Sequence, residues 1–242
     1  MAKRIAVVIP AYQAAATLRS VFDRIPKAFM EKAPLFLIVN DGSTDETQRV
    51  AEDIARALPH TEVLTHPHNR GYAQAQKTGF TEALRRGADI VVLLHSDGQY
   101  APELLPELVA PLERDEADVV QGSRMLNPAG ALRGGMPLYK WLANRALSAV
   151  ENLAYGMKLA EYHSGYMLYS RRALEAIPFL KLSDTFHFDG EMLLMAGKRR
   201  LRIREIPIPT HYGSEKSHLR PIAYGFDVLK IILRNALGKY DL

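Results

Sequence analysis

The chain has 242 residues, 48% of them hydrophobic, which is enough for one large core. It contains no cysteine, which excludes disulfides and thiolate metal sites and agrees with a reducing compartment. The net charge of +4 favours anionic partners such as nucleotides or phospholipid surfaces, whereas basic and aromatic residues do not cluster as a nucleic-acid platform requires.

No apolar run approaches the length of about 20 residues that a transmembrane helix needs. The first strand follows Met-Ala-Lys directly, which predicts a chain without a signal peptide. We therefore expect a cytoplasmic protein that is at most peripheral on the inner face of a membrane.

Strand and helix patterns alternate over the first 125 residues. Buried strands are predicted at 4–9, 35–39, 63–64, 90–94 and 117–120, and helices at 17–25, about 45–58, 69–86 and from 102 onward. This alternation predicts an α/β fold with a mostly parallel sheet flanked by helices. Pro10 is expected to end the first strand.

After Arg124 the character of the sequence changes, which predicts a nucleotide-binding half at 1–125 and an acceptor half at 126–217. Predicted in order are a flexible basic loop at 130–135, helices at 137–155 and 171–177, a strand at 163–169, a helix ending near 197, and a strand at 202–206. Pro207 and Pro209 exclude a long central strand there.

The last segment, 218–242, is predicted to form an amphipathic helix with Lys230 and Arg234 near its apolar face. The apolar residues of that face are Ile222, Phe226, Leu229, Leu233 and Leu237. Such a helix packs on its own domain, lies on a membrane or pairs with a second copy of the chain as a homodimer. The sequence leaves these alternatives open.

Polar turns follow three of the predicted strands, at 10–13, 40–45 and 95–99. In parallel sheets ligands bind outside the carboxyl ends of the strands, so one ligand could touch all three turns. His95, Asp97 and Gln99 alternate, and in an extended segment their side chains would emerge on one side. They could hold a divalent cation and, through it, a diphosphate. Alternatively, this turn only terminates the strand.

Two nucleotide-binding motifs are absent. No Gly-x-Gly-x-x-Gly follows the first strand, and segment 71–78 imitates a P-loop but has Gln76 where the phosphate nest needs glycine. A dinucleotide fingerprint and a P-loop NTPase are therefore not predicted.

Five segments, in order and at the expected intervals, resemble those of family-2 glycosyltransferases of GT-A fold. They are 7–12 (VVIPAY), 39–47 (VNDGSTDET), 69–71 (NRG), 94–99 (LHSDGQ) and 122–124 (GSR). The resemblance covers residues 4–217 and is closest to polyprenyl-phosphate sugar transferases of the dolichyl-phosphate mannose synthase kind. It implies a Rossmann-like sheet, an acceptor-side subregion and the terminal helix.

The resemblance also implies roles for individual residues. Nucleotide-binding residues would be Pro10, Tyr12, Asp41, Ser43, Lys77, Ser96 and Asp97. A divalent metal, Mn²⁺ or Mg²⁺, would be held by His95, Asp97 and Gln99. Acceptor and phosphate contacts would come from Arg124, Arg133, Ser214, Lys216 and Ser217, and catalytic residues would be Asp97, Arg124, Asp189 and Glu191.

Two departures from the family pattern concern the donor site. His95 stands where the family has the first Asp of its Asp-x-Asp motif, and an imidazole suits Mn²⁺ better than Mg²⁺. Gln13, Ala14 and Ala15 stand where the branch commonly has Asn-Glu-Glu. The sequence therefore does not fix whether the donor is GDP-linked or UDP-linked.

These features predict an inverting, metal-dependent transferase that moves a sugar from a nucleotide-diphosphate sugar to a polyprenyl phosphate. One alternative keeps the donor but uses a saccharide or other hydroxyl acceptor, which requires a general base such as Asp189 or Glu191. Another alternative, motivated by His95 and the missing acidic pair, is a non-catalytic nucleotide-sugar-binding protein.

Overall fold

Seven strands form one sheet in the computed structural model, which describes residues 2–32, 34–210 and 221–241, with 221–223 as backbone alone. The strands are β1 Ile5–Ala11, β2 Leu35–Asn40, β3 Thr61–Thr65, β4 Ile90–Leu93, β5 Val119–Ser123, β6 Met167–Ser170 and β7 Ile203–Pro207. Their spatial order is β3-β2-β1-β4-β6-β5-β7. Only β6 runs antiparallel to its neighbours, so the predicted mostly parallel sheet is confirmed.

Helices cover the sheet close to the predicted positions. They are α1 Leu18–Asp23, α2 Lys27–Met30, α3 Thr47–Ala57, α4 Tyr72–Arg85, α5 Leu105–Glu113, α6 Pro128–Arg133, α7 Leu138–Tyr155, α8 Arg171–Ala176, α9 Phe188–Lys198 and α10 Pro221–Ala236. Helix α6 was not predicted, because its glycines indicated a loop. It forms because Pro128 occupies its first turn and the Asn127 side chain accepts a hydrogen bond from the Gly130 N–H.

The central strands are buried on both faces, as their continuous apolar runs predict. Val8 and Val91 point into the core on one side of the sheet, and Val7 and Val92 point into the core on the other. Helix α4 lies so close to β1 that a Cβ on Gly79 would stand 2.2 Å from a Val8 methyl carbon. Glycine at that position therefore permits the close packing of α4 on the sheet.

The sheet joins the two predicted halves of the chain. Strand β6, from the acceptor half, lies between β4 and β5 of the nucleotide half. Among the described strands β7 pairs only with β5 and is an edge strand of the sheet, in agreement with its prolines. Strand β1 does not end at Pro10 as expected, because Pro10 and Ala11 remain in register with Val39 and Asn40 of β2. Strands β1, β2 and β4 are parallel, so the polar turns that follow them lie at the same end of the sheet.

Helix α10 packs by a narrow side and leaves its broad apolar face in solvent. Val228 and Ile231 are buried, whereas the predicted apolar face is 50–68% exposed at Phe226, Leu229, Leu233 and Leu237. The side chain of Ile222 lies outside the described residues. Among the described residues no helix is both long enough and apolar enough to cross a bilayer.

Candidate functional site

The turns that follow β1 and β2 are tied together by Gln13. Its backbone N–H donates to Ser43 Oγ at 3.1 Å, its side-chain amide donates to Thr44 Oγ1 at 2.8 Å, and its amide oxygen accepts from the Asp45 N–H at 3.2 Å. Gln13 adopts a positive φ of 51° in this position. Tyr12, next to it, is 47% exposed and presents an aromatic face at this edge of the sheet. Gln13, which is one of the residues that depart from the family pattern, therefore holds the turns after β1 and β2 together.

Asp41 is buried and fixes the start of helix α4. One carboxylate oxygen accepts from the Arg70 N–H at 2.9 Å and from His66 Nδ1 at 2.6 Å, and the other accepts from the Gly71 N–H at 2.8 Å. His66 is held on its far side by Thr78 Oγ1 at 2.9 Å. A carboxylate has about four acceptor directions, so Asp41 retains room for one further donor such as a nucleoside N–H or O–H.

A hydrogen-bonded chain links α4 to β4 and α9. Tyr72 donates its hydroxyl proton to Asp189 at 2.7 Å, and its oxygen lies 3.0 Å from His95 Nε2. His95 Nε2 also lies 3.2 Å from the carbonyl oxygen of Gly165, which can only accept. Nε2 therefore carries the hydrogen, and the lone pair of His95 is on Nδ1.

The same chain depends on a close approach at Gly165. A Cβ there would stand 2.7 Å from His95 Nε2 and 2.8 Å from the Tyr72 hydroxyl oxygen. Burial raises the pKa of Asp189, and the hydrogen bond from Tyr72 together with the nearby His95 opposes that rise. Burial and the adjacent Asp189 raise the pKa of Tyr72, which therefore keeps its proton.

Residues 95–99 form a turn, as predicted, and not the extended segment in which the side chains of His95, Asp97 and Gln99 would emerge on one side. Strand β4 ends at Leu93, Gly98 has a positive φ of 74°, and Asp97 Oδ1 accepts from the Gln99 N–H at 3.0 Å. Ser96 is buried, Asp97 is half-buried and Gln99 is exposed. The three proposed metal ligands therefore do not line one side of a strand, because the side chain of Asp97 folds back on its own turn.

The turn at 95–99 contains side chains of the kinds that bind divalent cations. Within the described ranges Asp97 forms no ion pair with a basic side chain. Asp97 and Nδ1 of His95 are the groups that would hold the cation. The one cluster of three His, Asp or Glu ligands among the described residues lies elsewhere. The remaining ligands would be phosphate and water oxygens, as is usual for Mg²⁺ and Mn²⁺ at nucleotides.

Lys77 does not have the environment predicted for a nucleotide contact. It is 4% exposed, and its ammonium donates to the carbonyl oxygen of Leu182 at 2.6 Å and to Asp184 at 2.7 Å. A buried ammonium needs such partners, and here they lie in the loop before α9. Lys77 therefore holds that loop against α4.

Glu191 does not lie at the same site as Asp189, although both were predicted as catalytic residues. Asp189 and Glu191 are two residues apart on α9, and at about 100° per residue they point to nearly opposite sides of the helix. Glu191 is fully buried and accepts hydrogen bonds from the Ser183 N–H at 3.0 Å and from the hydroxyls of Ser183 and Tyr240. Only Asp189 of this pair reaches the chain that includes His95.

Arg124 is paired inside the protein and does not stand free for an acceptor phosphate. Its guanidinium donates to Glu161 at 2.9 Å and to the carbonyl oxygen of His163 at 2.7 Å. Glu161 is fully buried and also accepts from the Arg124 N–H and from Asn144 Nδ2. A buried carboxylate of this kind requires the arginine as its counter-charge.

Of the other residues predicted to contact the acceptor, the structure describes Arg133. Arg133 is exposed at the end of α6, close in sequence to a cleft of about 370 Å³ between α6 and the end of β7. The cleft is lined by Asn127, Gly130, Pro207, Ile208, Pro209 and Thr210. Ser214, Lys216 and Ser217 lie outside the described residues.

Three residues at this edge were not identified from the sequence: His66, Tyr72 and Gly165. Tyr72 directly follows the motif at 69–71, so its place at the helix start was a usable signal. His66 and Gly165 gave none, because their importance comes from contacts with residues 25 and 70 positions away.

Comparison with known proteins identifies relatives over nearly the whole chain. The family model described as Glycosyl transferase family 2 matches residues 6–177. The UDP-N-acetylglucosamine–dolichyl-phosphate N-acetylglucosaminyltransferase of Methanococcus voltae is 29% identical over 251 residues, which cover 98% of each chain. The undecaprenyl-phosphate mannosyltransferase of Micrococcus luteus is 30% identical over 206 residues, 85% of this chain and 82% of the relative.

A solved structure shares the fold. The crystal structure of glucosyl-3-phosphoglycerate synthase from Mycobacterium tuberculosis in complex with Mn²⁺ and UDP-glucose superposes with a TM-score of 0.71 at 23% identity. The match covers 98% of this chain and 79% of that one. At this identity the likeness concerns the fold alone.

Proposed function

Because the chain belongs to glycosyl transferase family 2 and is therefore a glycosyltransferase, we propose that it moves a sugar from a nucleotide-diphosphate sugar to a polyprenyl phosphate. The transfer is metal-dependent and inverts the anomeric centre. The first donor to test is UDP-N-acetylglucosamine, because a relative with that donor in its name aligns over nearly the full length of both chains.

Binding of the nucleotide-sugar donor is proposed at the turns that follow the carboxyl ends of the parallel strands. Tyr12 presents an aromatic face for the base, and Asp41 retains one acceptor direction for the nucleoside. Asp97 and His95 stand at the end of the adjacent central strand β4. A cation bound there would neutralise charge on the diphosphate as it leaves.

The apolar surface of α7 and α10 is the observation that supports a lipid acceptor. The two helices touch each other, and both present large apolar side chains to solvent. On α7 these include Leu138, Tyr139, Leu142 and Leu153, which are 54–88% exposed. Exposed apolar surface of this extent marks a protein or membrane contact, and basic side chains beside it favour anionic lipid.

The chemistry with a phosphate acceptor requires no general base. An oxygen of the acceptor phosphate attacks the anomeric carbon while the bond from that carbon to the diphosphate breaks and its electron pair leaves with the nucleoside diphosphate. The attacking oxygen is already anionic, so no proton is removed. Asp189, buried behind His95 and bonded to Tyr72, then positions the imidazole and takes no part in proton transfer.

The decisive experiment measures label transfer into lipid. The protein is incubated with Mn²⁺, a short-chain polyprenyl phosphate, and labelled UDP-N-acetylglucosamine, UDP-glucose or GDP-mannose in separate reactions. We expect organic-phase label with one donor, none with the same polyprenol lacking phosphate, and an anomeric configuration opposite to that of the donor. Label that appears only in a soluble saccharide would assign the hydroxyl-acceptor alternative.

Replacing Asp189 by Asn separates the two acceptor classes. The amide still accepts the Tyr72 hydroxyl, so with polyprenyl phosphate we expect less than about a 10-fold loss in kcat, whereas loss of a general base costs about 10²–10⁴-fold. Tyr72→Phe is the complementary control, because it removes the hydrogen bond that Asp189→Asn keeps and leaves the carboxylate that Asp189→Asn removes. A loss above 100-fold in Asp189→Asn with near-normal Tyr72→Phe would contradict the phosphate acceptor.

Charge on the exposed face of α10 is expected to prevent lipid binding. In co-sedimentation with anionic phospholipid vesicles, the double change of Leu229 and Leu233 to Asp should weaken binding at least about 10-fold, since each leucine buried in lipid contributes about 1.5–3 kcal/mol. Salt should also weaken binding through Lys230 and Arg234. Leu180→Asp, at another exposed leucine, is the control. If the wild-type protein does not bind vesicles and sediments as a dimer, the exposed face of α10 is the interface with a second copy of the chain.

A further inference from the structure

Four side chains that are buried or partly buried contact one another in a ring. They are Glu151 of α7, His163 before β6, His187 before α9, and Tyr224 of α10, and we call them the histidine cluster. His187 Nε2 lies 2.9 Å from one oxygen of Glu151, and His163 Nε2 lies 3.3 Å from the other. Both Nδ1 atoms meet the Tyr224 hydroxyl oxygen, at 2.7 Å from His187 and 2.9 Å from His163.

The histidine cluster is sequestered from water. The side chains of Glu151 and His187 are 0% exposed and that of His163 is 9% exposed. Their ligand-capable atoms all lie within 4.8 Å of one another. Buried polar atoms usually have at least one hydrogen-bond partner, so the ring can be tested by counting protons.

The count leaves one contact without a hydrogen when Glu151 is ionised and both imidazoles are neutral. His187 Nε2–H donates to Glu151, Tyr224 donates to His187 Nδ1, and His163 Nδ1–H donates to Tyr224. His163 Nε2 then directs its lone pair at a Glu151 oxygen. These two atoms have no hydrogen-bond partner among the described residues, which is the pattern that the count requires.

A cation between those atoms would complete the cluster. Zn²⁺ binds imidazole nitrogen and carboxylate oxygen at about 2.0–2.2 Å, which separates two tetrahedral ligand atoms by about 3.4 Å. The observed separation of His163 Nε2 and Glu151 is 3.3 Å.

The outer contacts are also those of a metal site. With both Nε2 atoms on the cation, both Nδ1 atoms carry hydrogens and donate to the one oxygen of Tyr224, which has two lone pairs. Metal-bound histidines usually donate their second N–H to such an acceptor, which fixes the ring orientation. We propose that Glu151, His163 and His187 bind a structural Zn²⁺-type cation, with Tyr224 orienting both imidazoles.

This cation would be distinct from the one at Asp97 in both chemistry and task. Two nitrogens and one carboxylate favour Zn²⁺, whereas an oxygen-rich site completed by phosphate favours Mg²⁺ or Mn²⁺. His163 precedes Gly165 by two residues, and His187 precedes Asp189 by two. The cluster would therefore clamp the segments that carry Gly165 and Asp189 to helices α7 and α10.

Cobalt substitution tests the proposal on the full chain. The protein is stripped with a chelator, dialysed, and titrated with Co²⁺ while visible absorption is recorded. We expect one tightly bound cation per chain with the intense band of four-coordinate Co²⁺, removed by competing Zn²⁺. Zn²⁺ should also raise the thermal unfolding midpoint.

Variants assign the site. His187→Gln and Glu151→Gln should lose the band, and Tyr224→Phe, which keeps all three ligands, should weaken Co²⁺ binding by about 10–100-fold. Asp97→Asn should retain the band fully, because its ligand belongs to the other site. The proposal is overturned if wild-type protein gives no band and no Zn²⁺-dependent shift, or if Asp97→Asn loses the band. The wild-type titration decides the matter even where a variant fails to fold.

Discussion

Asp97→Asn is expected to lower kcat/KM for sugar transfer about 10³-fold, equivalent to about 4 kcal/mol of transition-state stabilisation. Asp97 is the carboxylate at the end of β4 with no basic partner among the described side chains. Its amide would remain a hydrogen-bond acceptor for the Gln99 N–H but would no longer supply an anionic ligand. Mn²⁺-dependent binding of nucleoside diphosphate, measured by calorimetry, should fall in parallel.

The control for this change lies at the other end of strand β4. Asp89 stands just before β4, at the opposite edge of the sheet, and accepts a hydrogen bond from the Arg4 N–H at 2.8 Å. Asp89→Asn keeps that acceptor and should leave both kcat/KM and nucleotide binding close to wild type. Equal losses in the two variants, or no loss in Asp97→Asn, would refute the assignment of the cation to the turn at 95–99.

Asp41→Ala is expected to destabilise the fold and the donor site together. It removes the acceptor of two backbone N–H groups and of His66, and each buried donor left unpaired costs about 1–3 kcal/mol. Water can reach the partly exposed Arg70 and Gly71, so the expected total is about 2–4 kcal/mol. Urea denaturation should show a lower midpoint with an unchanged slope.

Nucleotide binding should weaken in the same variant, even at a temperature where it is fully folded. Asp41 holds the residue before α4, and α4 begins with Tyr72, whose hydroxyl contacts His95 and Asp189. Thr78→Val is the matched comparison, because it removes only the outer partner of His66. An Asp41→Ala protein with a normal unfolding midpoint and normal nucleotide affinity would show that this carboxylate has neither role.

The predicted site residues that the structure places elsewhere are charged side chains with partners inside the protein. The sequence placed Asp189 and Glu191 together as acidic neighbours, but helical geometry sends one to the His95 chain and the other into a buried network with Ser183 and Tyr240. The family resemblance implied that Lys77 binds the nucleotide and that Arg124 binds the acceptor phosphate. Each is instead neutralised by a carboxylate more than 35 residues away, Asp184 and Glu161 respectively.

By itself the sequence predicted the mostly parallel sheet and the end of the sheet at which the polar turns lie. Apolar runs such as those of β1 and β4 predict strands buried on both faces, and the polar turns after parallel strands lie at one end of the sheet. Only the tertiary structure decided which charges are free at that edge, that Gly165 admits His95, and that Glu151, His163 and His187 meet. Local periodicity records which side of an element is buried, whereas these pairings depend on how distant elements pack.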